Sequence, residues 1–159
     1  MEKTMVMKIL EQKKIAYNAY EYDPVHLDAV YVANTLSQDV RKVFKTLVAK
    51  GEKKYYVFMV PSSKELDLKK VASILNEKKI EMIKQKELFP LTGYVHGGCS
   101  PIGMKKPFPT FIDSSALNFE TIYYSAGKVG YQVETKPSDL INLLNIKTID
   151  LTKGEIKND

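Results

Sequence analysis

One cysteine, two histidines, no tryptophan and no apolar run of membrane-spanning length leave this 159-residue chain without several common chemistries. With Cys99 alone, no intramolecular disulfide can form, which excludes a small stapled secreted scaffold and points to a reducing cytoplasm. Cys99, His26 and His96 together are too few to close a Cys/His zinc site; a carboxylate-rich metal site stays open without supporting spacing, and no metal or organic cofactor is expected. A membrane helix needs about 18 or more consecutive apolar residues, and none are present. Met1 to Leu10 carries Lys3 and Lys8 but no continuous apolar stretch before a small-residue cleavage site, so it does not read as a signal peptide. With 8 Gly and 7 Pro, near average usage, collagen, linker arrays and disorder are excluded as well.

What the chain does contain suits one folded domain. Hydrophobic residues make up 44% of it, among them 10 Tyr and 6 Phe, enough for a real core. Against 19 acidic residues stand 24 basic ones, a net charge of +5 that favours anionic partners without proving nucleic-acid binding. No internal repeat or low-complexity segment is visible.

Apolar Val6, Ile9 and Leu10 recur at helical spacing behind Thr4, predicting a capped opening helix to Lys14. Tyr17, Tyr20 and Tyr22 favour a strand ending at Asp23-Pro24, and Asp28 offers the cap of a helix through Leu36. Phe44 to Ala49 and Tyr55 to Val60 flank the polar stretch from Lys50 to Lys54 and read as a hairpin, which Pro61 closes. Asp67 caps a helix to about Asn76, Glu81 to Ile83 forms a short strand, and Lys86 to Leu91 forms a helical turn interrupted at Pro90. Thr92 to Lys106 reads as loop. Strands follow at Thr110 to Asp113, Thr121 to Ser125 and Tyr131 to Thr135, then a helix opened by Pro137, a final strand at Thr148 to Leu151, and a frayed tail after Lys153. Helices and strands mix without regular alternation, which predicts an α+β domain on a mixed sheet.

The most unusual segment runs from Gly93 to Gly103, with four glycines in eleven positions and Lys105 and Lys106 just beyond. Glycines let a backbone approach a ligand and turn its N–H groups inward toward a phosphate or a developing oxyanion, although a plain surface loop has the same composition. The segment lacks the ending of a P-loop and the flanking strand and helix of a dinucleotide fingerprint. Cys99 within it is a nucleophile only if a base lies nearby, and otherwise a packed thiol; His26 and His96 read as structural or surface groups. Lys45 interrupts an apolar strand, so its ammonium either snorkels outward or meets an anion. Ser125 to Gly130 is a second glycine-containing loop with Lys128, suited to a phosphate or ribose or to a hairpin turn. The basic pairs are mostly solvated faces, and those near the loops are the candidates for a nucleic-acid backbone.

Five segments in order then carry a resemblance: Tyr20-Glu21-Tyr22-Asp23, Val43-Phe44-Lys45-Thr46-Leu47, Leu66 to Ala72, the Gly93 to Lys106 loop, and Ser125-Ala126-Gly127-Lys128 through Asp139-Leu140. Together they resemble the YbaK/EbsC family of aminoacyl-tRNA deacylases, relatives of the editing insertion of bacterial prolyl-tRNA synthetases. The resemblance implies a mostly antiparallel, partly barrel-like sheet covered by helices, formed by residues 1–153 with a tail at 154–159. It also implies hydrolysis of an amino acid wrongly esterified to tRNA, typically cysteine on the proline tRNA, with the substrate's own thiol attacking the ester and with prolyl-tRNA synthetase as a possible partner. Lys45 and the backbone of Gly97, Gly98, Ser100 and Pro101 take the catalytic roles in this reading. Tyr20, Tyr31, Thr46, Cys99, Ser125, Gly127 and Gln132 line the substrate site, and Lys105, Lys106 and Lys128 contact tRNA. Gln132 stands where cysteine-specific members often carry an acid, and it cannot act as a general base. Deacylation of an alanyl or seryl ester by water, and a non-catalytic tRNA-binding or nucleotide-binding module, are the alternatives.

Overall fold

The periodicities of the chain become five helices and ten strands in a computed structural model that describes residues 1–23 and 29–155. Thr4 Oγ1 accepts the Met7 N–H at 3.3 Å and caps α1 (Met5–Gln12), whose buried face is Val6, Met7 and Leu10. After β1 (Asn18–Glu21) comes α2 (Ala29–Thr35); its expected cap Asp28 lies outside the described residues, as does His26. A 3-10 turn at Val40–Lys42, capped by Asp39, leads into β2 (Phe44–Lys50) and β3 (Tyr55–Pro61). These pair antiparallel over their full length, from Phe44 opposite Pro61 to Lys50 opposite Tyr55. β4 (Lys64–Leu66), α3 (Leu68–Ile74, capped by Asp67), β5 (Glu81–Met82) and α4 (Gln85–Thr92) follow. After the glycine-rich segment come β6 (Thr110–Asp113), a 3-10 turn at Ser114–Asn118, β7 (Ile122–Ser125), β8 (Tyr131–Thr135), α5 (Pro137–Leu144), β9 (Lys147–Ile149) and β10 (Thr152–Glu155).

The fold is the expected single α+β domain, with its strands divided among three sheets. Five strands run in the order β5-β2-β3-β6-β9, antiparallel from β5 to β3 and parallel from β3 to β9. Three run antiparallel in the order β1-β8-β7, and β10 pairs with β4. One parallel bridge, Val43 to Tyr123, joins the start of β2 to β7, so the two larger sheets meet along a seam without a closed barrel among the described residues.

Both faces of the five-stranded sheet are covered. Phe44, Met59 and Ile112 pack toward α1, α5 and the three-stranded sheet, with Tyr124 and Val133 in the same core. Ala49, Phe58, Val60 and Phe111 pack on the other face against Val71 and Ala72 of α3. This explains why β3 is buried along nearly its whole length and reads as a continuous apolar run. Asp113 ties the layers together, its carboxylate accepting the Leu151 N–H at 2.9 Å and the Ser115 N–H at 3.2 Å.

Three details differ from expectation. α4 continues through Pro90 to Thr92, because the exposed proline deletes only one hydrogen bond near the end of a short helix. The left-handed Gly93, at φ 84°, closes it instead, with Thr92 Oγ1 donating to Leu88 O and accepting the Tyr94 N–H. β4 and β10 pair where the sequence shows no strand pattern, and β10 carries regular structure to Glu155, two residues into the expected tail. Lys70 holds that edge, donating to Thr152 O at 2.8 Å and pairing with Asp150 at 3.2 Å. Among the described residues no helix is long and apolar enough to cross a membrane.

Candidate functional site

Strand register assembles the candidates on one face. In the three-stranded sheet Tyr20 pairs with Gln132 and Gln132 with Ser125, which sets the three side chains in a row on the side opposite Tyr124, Tyr131 and Val133. The Val43 to Tyr123 bridge extends that face, since Lys45 and Ser125 each lie two residues beyond a bridged partner. The row therefore reads Lys45, Ser125, Gln132, Tyr20 across four strands.

Lys45 is half-buried and makes no hydrogen bond or ion pair among the described residues. Burial pulls its ammonium below the ordinary lysine value, and the charge of Glu65 offsets only part of that. Gln132 is 6% exposed, yet its Oε1 accepts no hydrogen bond. Ser125 Oγ accepts the Gly127 N–H at 3.1 Å, which leaves its proton free to donate elsewhere. A desolvated cation and an orphaned acceptor on one face are groups that a ligand would complete.

Tyr20 is fixed by a residue that sequence reasoning missed. Its hydroxyl donates to Glu134 Oε1 at 2.7 Å, and Asn18, Thr121 and Tyr123 donate to the same carboxylate. Burial pushes the Glu134 carboxyl up, but the donated hydrogen bonds outweigh it and the net value falls below the carboxylate norm. The same bond to Glu134, with burial behind it, pushes the Tyr20 hydroxyl to about 12, so Tyr20 stays protonated. The available signal was alternation, because Gln132 and Glu134 repeat on β8 the spacing of Tyr20 and Asn18 on β1.

The glycine-rich segment abuts this row at the turn that follows Ser125. Gly98 is packed so closely that a Cβ there would lie 3.0 Å from Val129 N and 3.3 Å from Lys128 C. Gly97 holds φ 85° and Gly127 φ 90°. Ser100 and Pro101 are buried, and the Tyr94 hydroxyl pins the far side of the loop to Ile102 O. The Cys99 and Ser100 N–H groups donate to no acceptor among the described residues, although Ser100 is fully buried. Adjacent unpartnered donors are what an oxyanion or carbonyl oxygen needs. No hydrogen bond joins this loop to Lys45; the hairpin turn connects them.

Other candidates fall elsewhere. Strand alternation turns Thr46 to the face opposite Lys45, where its Oγ1 is buried without a partner. Tyr31 sits half-buried on α2. Lys128 is tied to Glu2 at 2.7 Å, Lys105 lies 5.1 Å from the centre of the Phe89 ring, and Lys106 is exposed. The exposed His96 borders a groove with Phe89 and Val95 that includes no residue of the row. Cys99 is buried, and burial pushes its thiol to about 12, which removes the thiolate a nucleophile requires. Cys99→Ala should leave the activity expected of this site within about twofold of wild type; a larger loss in kcat with an unchanged melting curve would make the Cys99 thiol a nucleophile after all.

A family model described as the aminoacyl-tRNA editing domain matches residues 24–143. The chain is 43% identical over 157 residues to EbsC of Enterococcus faecalis, provisionally assigned as a Cys-tRNA(Pro)/Cys-tRNA(Cys) deacylase, covering 97% of this chain and 96% of that one. It is 32% identical over 84 residues to a proline–tRNA ligase of Fervidobacterium nodosum, matching 53% of this chain and 15% of the ligase. A crystal structure provisionally assigned as a trans-editing enzyme for prolyl-tRNA synthetase superposes with TM-score 0.86 at 26% identity, covering 94% of this chain and 95% of that one.

Proposed function

Because this chain belongs to the aminoacyl-tRNA editing family, we propose that it is a deacylase that hydrolyses a mischarged aminoacyl-tRNA, with cysteine on tRNA(Pro) as its substrate. The observation that carries this reading is the half-buried, unpaired Lys45 in one row with Ser125 and the orphaned acceptor of Gln132. An aminoacyl ester is already activated, so its cleavage asks mainly for orientation and charge stabilisation.

Lys45 holds a phosphate or hydroxyl oxygen of the terminal adenosine, and Ser125 bonds the ribose. Gln132 Oε1 accepts a hydrogen bond from the substrate's α-ammonium, a role open to a neutral amide. The Cys99 and Ser100 N–H groups face the ester carbonyl oxygen as it gains charge. The substrate thiol loses its proton and attacks its own carbonyl carbon; the S–C bond forms and the C–O bond to the ribose breaks. The ribose oxygen takes up a proton and the amino acid leaves as a cyclic thiolactone, which water opens to free cysteine. No protein nucleophile is consumed, in keeping with the inert Cys99.

The neutral Gln132 favours a second reading in which water attacks an alanyl or seryl ester. A panel of cysteinyl, alanyl and seryl esters on tRNA(Pro) tests both. Multiple turnover of the cysteinyl ester alone, with release of the thiolactone, is expected. Comparable turnover of the alanyl ester would shift the assignment to water attack, and binding of all three without turnover would leave only a tRNA-binding module. Phosphate contacts carry no sequence information, so selection of the tRNA falls to prolyl-tRNA synthetase acting as partner.

A further inference from the structure

The row from Lys45 to Tyr20 accounts for an aminoacyl ester and its nucleoside but leaves the preceding strand of RNA without a path. The face continues past Tyr123, whose ring meets that of Tyr20 edge to face at 5.7 Å between centroids. Lys42 Nζ lies 5.9 Å from the centroid of the Tyr123 ring and 5.9 Å from that of Phe119, with the Arg41 guanidinium 5.9 Å from the Phe119 centroid. Bridging of Val43 to Tyr123 locks this arrangement to the start of β2, with Lys42 three residues before Lys45.

The cations near the row are not equivalent. Lys128 is neutralised by Glu2, and Arg41 is clamped by the Asp39 carboxylate at 2.7 Å. Lys105 lies over Phe89 on α4, outside the row. Lys42 alone among these combines direct continuity with the row and the absence of any carboxylate within ion-pair distance among the described residues. Two aromatic faces hold its charge in place without cancelling it, so little ordering remains when an anion arrives. Asp39 acts on Lys42 only through its longer-range charge, and Phe119 and Tyr123 are half-buried; a cation without an ion-pair partner beside partly exposed rings is how proteins grip single-stranded nucleic acid, through phosphate and base stacking together.

We propose that Lys42, Phe119 and Tyr123 form a binding site for the single-stranded RNA immediately upstream of the terminal nucleoside, Lys42 taking a backbone phosphate and the rings stacking a base. The proposal rests on the deacylase reading and extends its site by about one nucleotide. It also gives the enzyme a reason to prefer an RNA-linked ester over a free one.

The test compares two substrates with each protein: 3′-O-cysteinyl adenosine, which has no upstream phosphate, and cysteinylated cytidylyl-cytidylyl-adenosine. Lys42→Gln should lower kcat/KM for the trinucleotide ester about tenfold, mainly through KM, and leave the adenosine ester unchanged. Lys42→Arg should recover most of the loss, and the salt dependence of the trinucleotide reaction should flatten by about one phosphate contact in the Gln variant. Phe119→Leu, checked by thermal melting because Phe119 also packs against the core, should lower the trinucleotide reaction about fivefold. Equal losses on both esters, or no loss on the trinucleotide, would overturn the proposal while leaving the deacylase reading intact. If the wild-type protein cleaves neither ester, both fail together.

Discussion

A Lys45→Met variant should lose cysteinyl-ester deacylation by a factor of about 100 to 1,000 while its thermal midpoint holds or rises. The size follows from deleting a charged donor in a desolvated setting, an effect of about 2.7–4 kcal/mol on the barrier. The stability direction follows from the lack of a carboxylate within ion-pair distance: the more remote charge of Glu65 offsets only part of the cost of burying the ammonium, a cost that a methionine of similar length does not carry. The pH dependence has a defined sign. Folding lowers the Lys45 pKa, so between that lowered value and lysine's ordinary value the unfolded chain binds more protons than the folded one. Stability therefore rises with pH across that window in the wild type, and that slope is missing in the methionine variant. Activity should fall along the same alkaline limb, earlier than an exposed lysine would allow, because the proposed mechanism works through the ammonium. Lowered stability with activity unchanged would make Lys45 a structural residue and remove the support for the site.

Legibility in the sequence divided along physical lines. The hairpin of β2 and β3 was readable because two β-prone apolar runs flank a polar stretch, and the caps Thr4 and Asp67 because short acceptors precede helical periodicity. β4 and β10 were not, since strands of three and four residues joined across the chain have no periodicity to display. At the site, Lys45 stood out as a charge inside an apolar strand. Its neighbour Thr46 looked equally well placed along the chain, but the two-residue period of a strand sends it to the opposite face. The row linking Tyr20, Gln132 and Ser125 depends on a register between β1 and β8 set more than a hundred residues apart, which local spacing cannot supply. Glu134 was hidden for the same reason: its importance comes from four donors, two of them on β1 or beside its far edge, brought in by that register.

Gly98→Ala should reduce kcat by about 10- to 100-fold and destabilise the protein by about 1–2 kcal/mol. The added methyl group meets the Val129 amide nitrogen at 3.0 Å, a backbone atom that cannot rotate away as a side chain would. The turn carrying Val129 is held at both ends, with Ala126 N donating to Tyr131 O and Tyr131 N to Lys128 O, each at 3.0 Å. The glycine-rich loop must therefore yield by a few tenths of an ångström, and it yields at the residue before the unpartnered Cys99 N–H. Donors aimed at developing charge lose much of their effect when displaced by such a distance, whereas ester binding, which the proposed mechanism spreads over Lys45, Ser125 and Gln132, changes less. The loss should consequently appear in kcat rather than KM. Gly97→Ala supplies the contrast, because there the cost is the left-handed φ of 85°, about 1 kcal/mol of backbone strain. If Gly98→Ala retained full kcat with the same melting curve, the loop would be packing alone, and the carbonyl oxygen would have to find its donors elsewhere.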